Sequence, residues 1–135
     1  MAKIDKFEDL EAWRLARALT LKIYTATRTG EFAKDFGLKD QIRRASVSIV
    51  SNIAEGFDRK SNKQFIQFLE IASGSSSEVK AQLYVALDVG YISQDQFSDL
   101  FADASRVGQM LTKLLQYLRA TPNLPTTEKT TSSPE

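Results

Sequence analysis

Apolar residues recur every three or four positions along four stretches of the chain, the spacing that places them on one face of a helix. The first stretch runs from about Glu8 to Arg28, with Leu10, Trp13, Ala16, Leu19 and Ile23 as its stripe. Thr29-Gly30 ends it. A loop, Glu31 to Gly37, follows, and its Phe32 and Phe36 are both expected to tuck against the end of the helices. The second stretch begins near Leu38 and reaches Phe57, with Leu38, Ile42, Ala45, Ile49 and Ile53 in register. After the short turn Asp58-Arg59-Lys60, Ser61 with Gln64 three residues on has the form of a capping box, which opens the third helix. Its stripe is Phe65, Leu69, Ala72, Ser76, Val79, Leu83 and Ala86, and Gly90 is placed to terminate it. Ser93 and Gln96 repeat the capping pattern. Phe97, Leu100, Ala104, Val107, Leu111, Leu114 and Leu118 then alternate spacings of three and four without a slip, as in a left-handed bundle.

Short connections make successive helices antiparallel neighbours. The expected fold is therefore all-α, an antiparallel up-down-up-down four-helix bundle over residues 1–120. All three prolines lie beyond residue 121, so no helix interior is interrupted. Residues 121–135, rich in Thr, Ser and Pro, read as a disordered tail. One segment resists the helical reading. Ala72-Ser73-Gly74-Ser75-Ser76-Ser77 is a poor helix former. The apolar register nevertheless continues across it through 72, 76 and 79, so the third helix is expected to run through, with its small side chains allowing another backbone to approach.

The chain of 135 residues contains no cysteine and no histidine. That removes disulfides, thiolate metal sites, the commonest general base and the commonest metal ligand. No catalytic, cofactor or metal residues are expected. A serine nucleophile among Ser73 to Ser77 would need an activating base, and no Ser-x-x-Lys signature with its partner motifs is present to make Lys80 one. A di-metal bundle site needs Glu-x-x-His pairs, which this chain cannot supply. Nor does any stretch approach the apolar length of a membrane span, so a cytoplasmic location is expected. With Lys plus Arg at 18 and Asp plus Glu at 17, the net charge is only +1, which argues against a dedicated nucleic-acid binder unless its cations are gathered locally.

The second helix carries another pattern. Gln41, Arg44, Ser48, Asn52, Glu55 and Arg59 lie three or four apart and form a narrow band beside the apolar stripe. Two readings compete. In one, the band is a ligand or RNA groove, with the forks of Arg43 and Arg44 meeting phosphate. In the other, favoured because polar groups at the edge of a core must be paired, Gln41, Arg44, Ser48, Asn52 and Glu55, with Glu78 of the third helix, form a structural polar network. The nucleic-acid candidates are Arg14, Arg17, Arg43, Arg44, Arg59, Lys60 and Lys63, with Lys22 and Arg28 as further cations.

Phe7-Glu8-Asp9-Leu10-Glu11-Ala12-Trp13, Phe36-Gly37-Leu38 and above all the run from Gln41 through Arg43-Arg44-Ala45-Ser46 and Asn52-Ile53-Ala54-Glu55-Gly56 carry a resemblance. Arg59, Ser61, Phe65, Phe68-Leu69, Gly74-Ser75, Glu78 and Gly90-Tyr91-Ile92 extend it. The sequence resembles the four-helix-bundle proteins encoded in intervening sequences of bacterial large-subunit ribosomal RNA genes, over about residues 5–119. The resemblance implies an up-down-up-down bundle, a homopentamer, no enzymatic activity and, as partners, RNA or a reverse transcriptase. It departs from the family at Ala33 and Val50, where many relatives have Pro. It is also far less basic than the retroelement accessory bundles related to that family. A protein-interaction scaffold that binds no nucleic acid is the competing expectation, motivated by apolar or small residues outside the main seam: Ile66, Ile71, Gly74, Ala81, Val85 and Val89.

Overall fold

The computed structural model describes residues 4–121. The tail expected over residues 121–135 lies outside them except for Thr121. After a 3-10 turn at Phe7–Asp9 come α1 (Glu11–Ala26), α2 (Gly30–Lys34), α3 (Phe36–Phe57), α4 (Asn62–Asp88) and α5 (Gln94–Ala120), with no strand among the described residues. The four long helices form the bundle, and α2 is a single short turn within the α1–α3 connection.

Cross-helix contacts give the directions. Thr20 of α1 and Thr27, its C-cap, meet Ser46 and Arg43 of α3, in descending order. Gly56 faces Phe65 and Phe68 while Ser48 meets Ser75, so α3 and α4 are antiparallel. Tyr84 packs on Phe97 and Phe101 while Glu70 pairs with Arg119, so α4 and α5 are antiparallel too. α5 closes the ring against α1, where Lys22 binds Asp99 and Asp103.

The core follows the stripes read from the sequence. Ala16, Leu19, Ile23, Ile42, Ile49, Ile53, Leu69, Val79, Leu83, Val107 and Leu111 are all essentially inaccessible. Each large aliphatic of this set contributes roughly 1.5–3 kcal/mol by leaving water. Leu38 and Trp13 are only partly buried and flank this core. The Ser-rich run stays helical, as its register required. Small groups permit close helix approach there: a Cβ at Gly108 of α5 would lie 3.1 Å from Ser76 Oγ.

Helix boundaries follow the caps. Ser61 accepts from the Gln64 N–H, and Ser93 forms a complete capping box with Gln96. Gly90 takes φ +83°, and the N–H groups of Gly90 and Tyr91 donate to the carbonyls of Leu87 and Ala86. This is the Schellman arrangement, and a left-handed residue at that point favours glycine.

Three expectations need correction. The first helix was expected from Glu8, but Leu10 is extended and separates the 3-10 turn from α1. The irregular loop Glu31 to Gly37 holds α2, and α3 starts at Phe36 because the Asp35 side chain caps it through the Leu38 N–H. Finally, Phe32 is buried against Tyr91, whereas Phe36 is 70% exposed with Lys39 above its ring. The capped start turns Phe36 outward.

Asp35 is bound from two sides, by the Leu38 N–H at 3.1 Å and the Tyr91 hydroxyl at 2.8 Å. The Leu38 N–H first, and the Tyr91 hydroxyl second, hold its carboxyl below the ordinary carboxylate value. A lowered folded pKa stabilises the fold while the carboxylate is ionised. That stabilisation is complete above the unfolded value near about 3.9 and is lost as pH falls through the lowered one. Tyr91→Phe is accordingly expected to lower the urea midpoint at about pH 7, and the gap to wild type should shrink near about pH 3. Urea titrations at the two pH values check this.

Candidate nucleic-acid interface and polar seam

The band on α3 lies along its seam with α4. Near mid-seam, Ser75 Oγ donates to Ser48 Oγ at 2.8 Å. Asn52 Nδ2 donates to the same hydroxyl at 3.0 Å and to the Ser48 carbonyl at 2.8 Å. Towards the α3–α4 turn, Arg59 pairs with Glu55 at 2.7 Å and lies over the Phe68 ring. In the other direction the seam opens. Gln41, Arg44, Ala45, Ser48, Ser75, Glu78 and Gln82 line a cavity of about 330 Å³. Of the six residues expected to form one polar network, Ser48 and Asn52 are hydrogen-bonded together and Glu55 joins Arg59. Gln41, Arg44 and Glu78 line the cavity and make no hydrogen bond or ion pair with the described residues.

Arg43 and Arg44 face different neighbours. Neighbouring residues on a helix diverge by about 100°. Arg44 turns to α4, and Arg43 turns to α1. There its Nε donates to the buried Thr27 hydroxyl at 2.8 Å, and its guanidinium stacks 4.3 Å from the centre of the Tyr24 ring. Thr27 Oγ1 in turn donates to the Ile23 carbonyl. Arg43 is thus a tie between α1 and α3. Its partners Tyr24 and Thr27 occur in the sequence at helical spacing, but nothing there pairs them with residue 43.

The remaining cations fall in two places. α1 starts, α3 turns into α4 and α5 finishes at the same end of the bundle, which gathers Arg14, Arg17, Arg59, Lys60 and Lys63. Arg17 lies over the Trp13 ring, and Arg14 reaches the Glu8 carbonyl at a long 3.4 Å. Lys60 and Lys63 are exposed and form no ion pair among the described residues. Arg28, Arg43 and Arg44 are towards the opposite end. Lys22 is neutralised. The hydrogen bonds it donates to Asp103 and then Asp99 raise its pKa above the ordinary lysine value. Sequence reasoning missed this pairing, since about eighty residues separate the partners.

No serine from Ser73 to Ser77 is hydrogen-bonded to a base among the described residues. Ser75 bonds Ser48 on the α3 side, while the Lys80 ammonium lies over Phe101 on the α5 side. No group of three or more acidic residues among the described ones could hold a metal ion. No described helix is long and apolar enough to cross a membrane.

The family described as 23S rRNA-intervening sequence protein matches residues 8–113, most of the chain, including the whole of the seam and the end that carries Arg14, Arg17, Lys60 and Lys63. The chain belongs to that family. Among solved structures, a protein of unknown function from the S23 ribosomal protein family of Bacteroides thetaiotaomicron superposes with a TM-score of 0.73. It is 23% identical, and the match covers 78% of this chain and 98% of that one, a likeness of fold. No curated protein matches the sequence. Within this 23S rRNA-intervening sequence protein, the run Gln41 to Gly56 that carried the resemblance is the seam-forming part of α3. The residues that made it recognisable therefore include the Ser48–Asn52 bonds, the Arg43 tie and the close-packed Gly56.

Proposed function

We propose that this protein is a non-enzymatic, cytoplasmic, homo-oligomeric bundle that binds RNA as an accessory to a nucleoprotein partner. The observation that carries the proposal is the gathering of Arg14, Arg17, Lys60 and Lys63, all exposed, at one end of the bundle. A net charge of +1 gives no long-range attraction to RNA, so any affinity must come from such a local set. Cyclic assembly would multiply it. The family's description, which places these proteins in 23S rRNA intervening sequences, supports RNA over DNA as the nucleic acid.

The surface available for assembly is on α4. Ile71, Val85 and Val89 are 53%, 48% and 56% exposed, and with Gly74 and Ala81 they follow helical spacing along its outer face. The same stripe favours the second reading, a ring that recruits another protein and binds no nucleic acid. The readings separate in one experiment. Fluorescence anisotropy with a hairpin of large-subunit ribosomal RNA at low salt is expected to show binding, and Lys60→Glu with Lys63→Glu to weaken it by about tenfold or more. An unchanged affinity in the double variant rejects this end as the interface, and binding by neither protein selects the scaffold.

A further inference from the structure

We propose that the cavity between α3 and α4 binds a small zwitterion, a free α-amino acid, independently of any RNA. The two helices face each other there as a ladder with three rungs. Ser48 and Ser75 form the first, Arg44 and Glu78 the next, Gln41 and Gln82 the last, stepping one turn at a time in opposite directions along the two chains. Only the serine rung is closed. Arg44 and Glu78 line the same cavity on opposite walls and make no ion pair with each other. Gln82 Oε1 is buried without a hydrogen-bond partner. A buried carbonyl oxygen left without a donor is costly. The open part of the ladder therefore offers a donor fork on one wall and a carboxylate on the other, beside the buried, unpartnered Gln82 oxygen.

An α-amino acid matches this pattern. Its carboxylate accepts two parallel bonds from the Arg44 guanidinium. Its ammonium donates to Glu78, and a turn of the Gln82 side chain brings Oε1 to it, which gives the amide the donor it lacks. A simple anion or cation would satisfy one wall and meet a like charge on the other. A nucleobase would lack a stacking surface, because no aromatic residue lines the cavity. The larger groove of about 630 Å³ between α1 and α5 is a poorer host, since its charged groups and most of its polar side chains are already engaged. Lys22 holds Asp99, Tyr91 holds Asp35, and Gln96 caps α5.

Isothermal titration of the full chain at neutral pH with L-alanine, L-glutamine and L-glutamate tests the proposal. N-acetyl-alanine, without the ammonium, and alaninamide, without the carboxylate, serve as comparators. Saturable binding of at least one amino acid is expected at millimolar concentration or below. Loss of either charge in the parent amino acid, or Arg44→Gln or Glu78→Gln in the protein, should weaken it about tenfold or more, because each removes a charge-assisted hydrogen bond. Both side chains are exposed, so these variants should keep the wild-type circular dichroism. Gln82→Met should melt higher, relieved of its unpartnered oxygen, yet bind more weakly, while Lys113→Gln on the far side binds as wild type. No saturable heat with any of the three amino acids overturns the proposal. So does equal binding by N-acetyl-alanine or by Gln82→Met. Failure here leaves RNA binding at the other end of the bundle unaffected, and failure of RNA binding leaves this titration unchanged.

Discussion

Phe32→Ala is expected to destabilise the bundle by about 3–5 kcal/mol, the cost of truncating a fully buried aromatic ring. Phe32 is 1% exposed, the one buried residue of α2, and its ring centre lies 5.2 Å from that of Tyr91. It closes the end of the bundle where α1 passes into α3 and α4 into α5. Tyr91, in turn, is held by Asp35, the cap of α3. Loss of the ring thus leaves a cavity beside a hydrogen-bonded corner that has little room to collapse. Phe36→Ala, four residues on, is expected to change stability by less than about 1 kcal/mol, because an exposed ring with one cation above it contributes little. Urea unfolding of the two variants measures the contrast. Equal effects would mean that both rings, or neither, belong to the corner.

Gly56→Ala and Gly74→Ala should shift stability in opposite directions. Alanine is the better helix former by about 0.8–1 kcal/mol, so propensity alone would stabilise both variants. At Gly74 nothing lies within 4 Å of the added carbon, and that gain should appear. At Gly56 the same carbon would sit 2.7 Å from Phe68 Cβ and 3.0 Å from Phe65 Cδ1. Phe68 Cβ is fixed to its backbone and cannot swing aside. α3 and α4 must separate near their turn, and overpacking of this kind costs about 1–3 kcal/mol. A net loss of stability at Gly56 and a net gain at Gly74, read from the same urea titrations, is the expected result.

These two pairs also mark what periodicity can reveal. Every stripe residue from Phe97 to Leu118 is buried, because a seam alternating threes and fours has only one way to face a core. The caps at Ser61, Ser93 and Gly90 were equally legible, since their geometry depends on residues next to each other in the chain. Phe32 and Phe36 were not separable, because which one turns inward is decided by Asp35 capping α3, and a capping side chain is a three-dimensional event. The tight fit at Gly56 depends on Phe65 and Phe68 of another helix. At the candidate site, the band on α3 was visible as a band. Its division into a hydrogen-bonded Ser48–Asn52 part and an open Arg44–Glu78 part was not, since Ser75 and Gln82 come from α4. The pair Arg43-Arg44 shows the limit most clearly. Adjacent in sequence and alike in chemistry, they are sent to opposite neighbours by the helical twist, one to Tyr24 and Thr27 and one to the cavity.

The central claim is that a nearly neutral bundle binds RNA through cations collected at one end. Its most direct test is the affinity of the wild-type protein for a ribosomal RNA hairpin, measured across a salt series. Four cations in contact with phosphate predict a log–log slope of about −3 per protomer engaged. A flat salt response, or no binding at the lowest salt, would contradict the account.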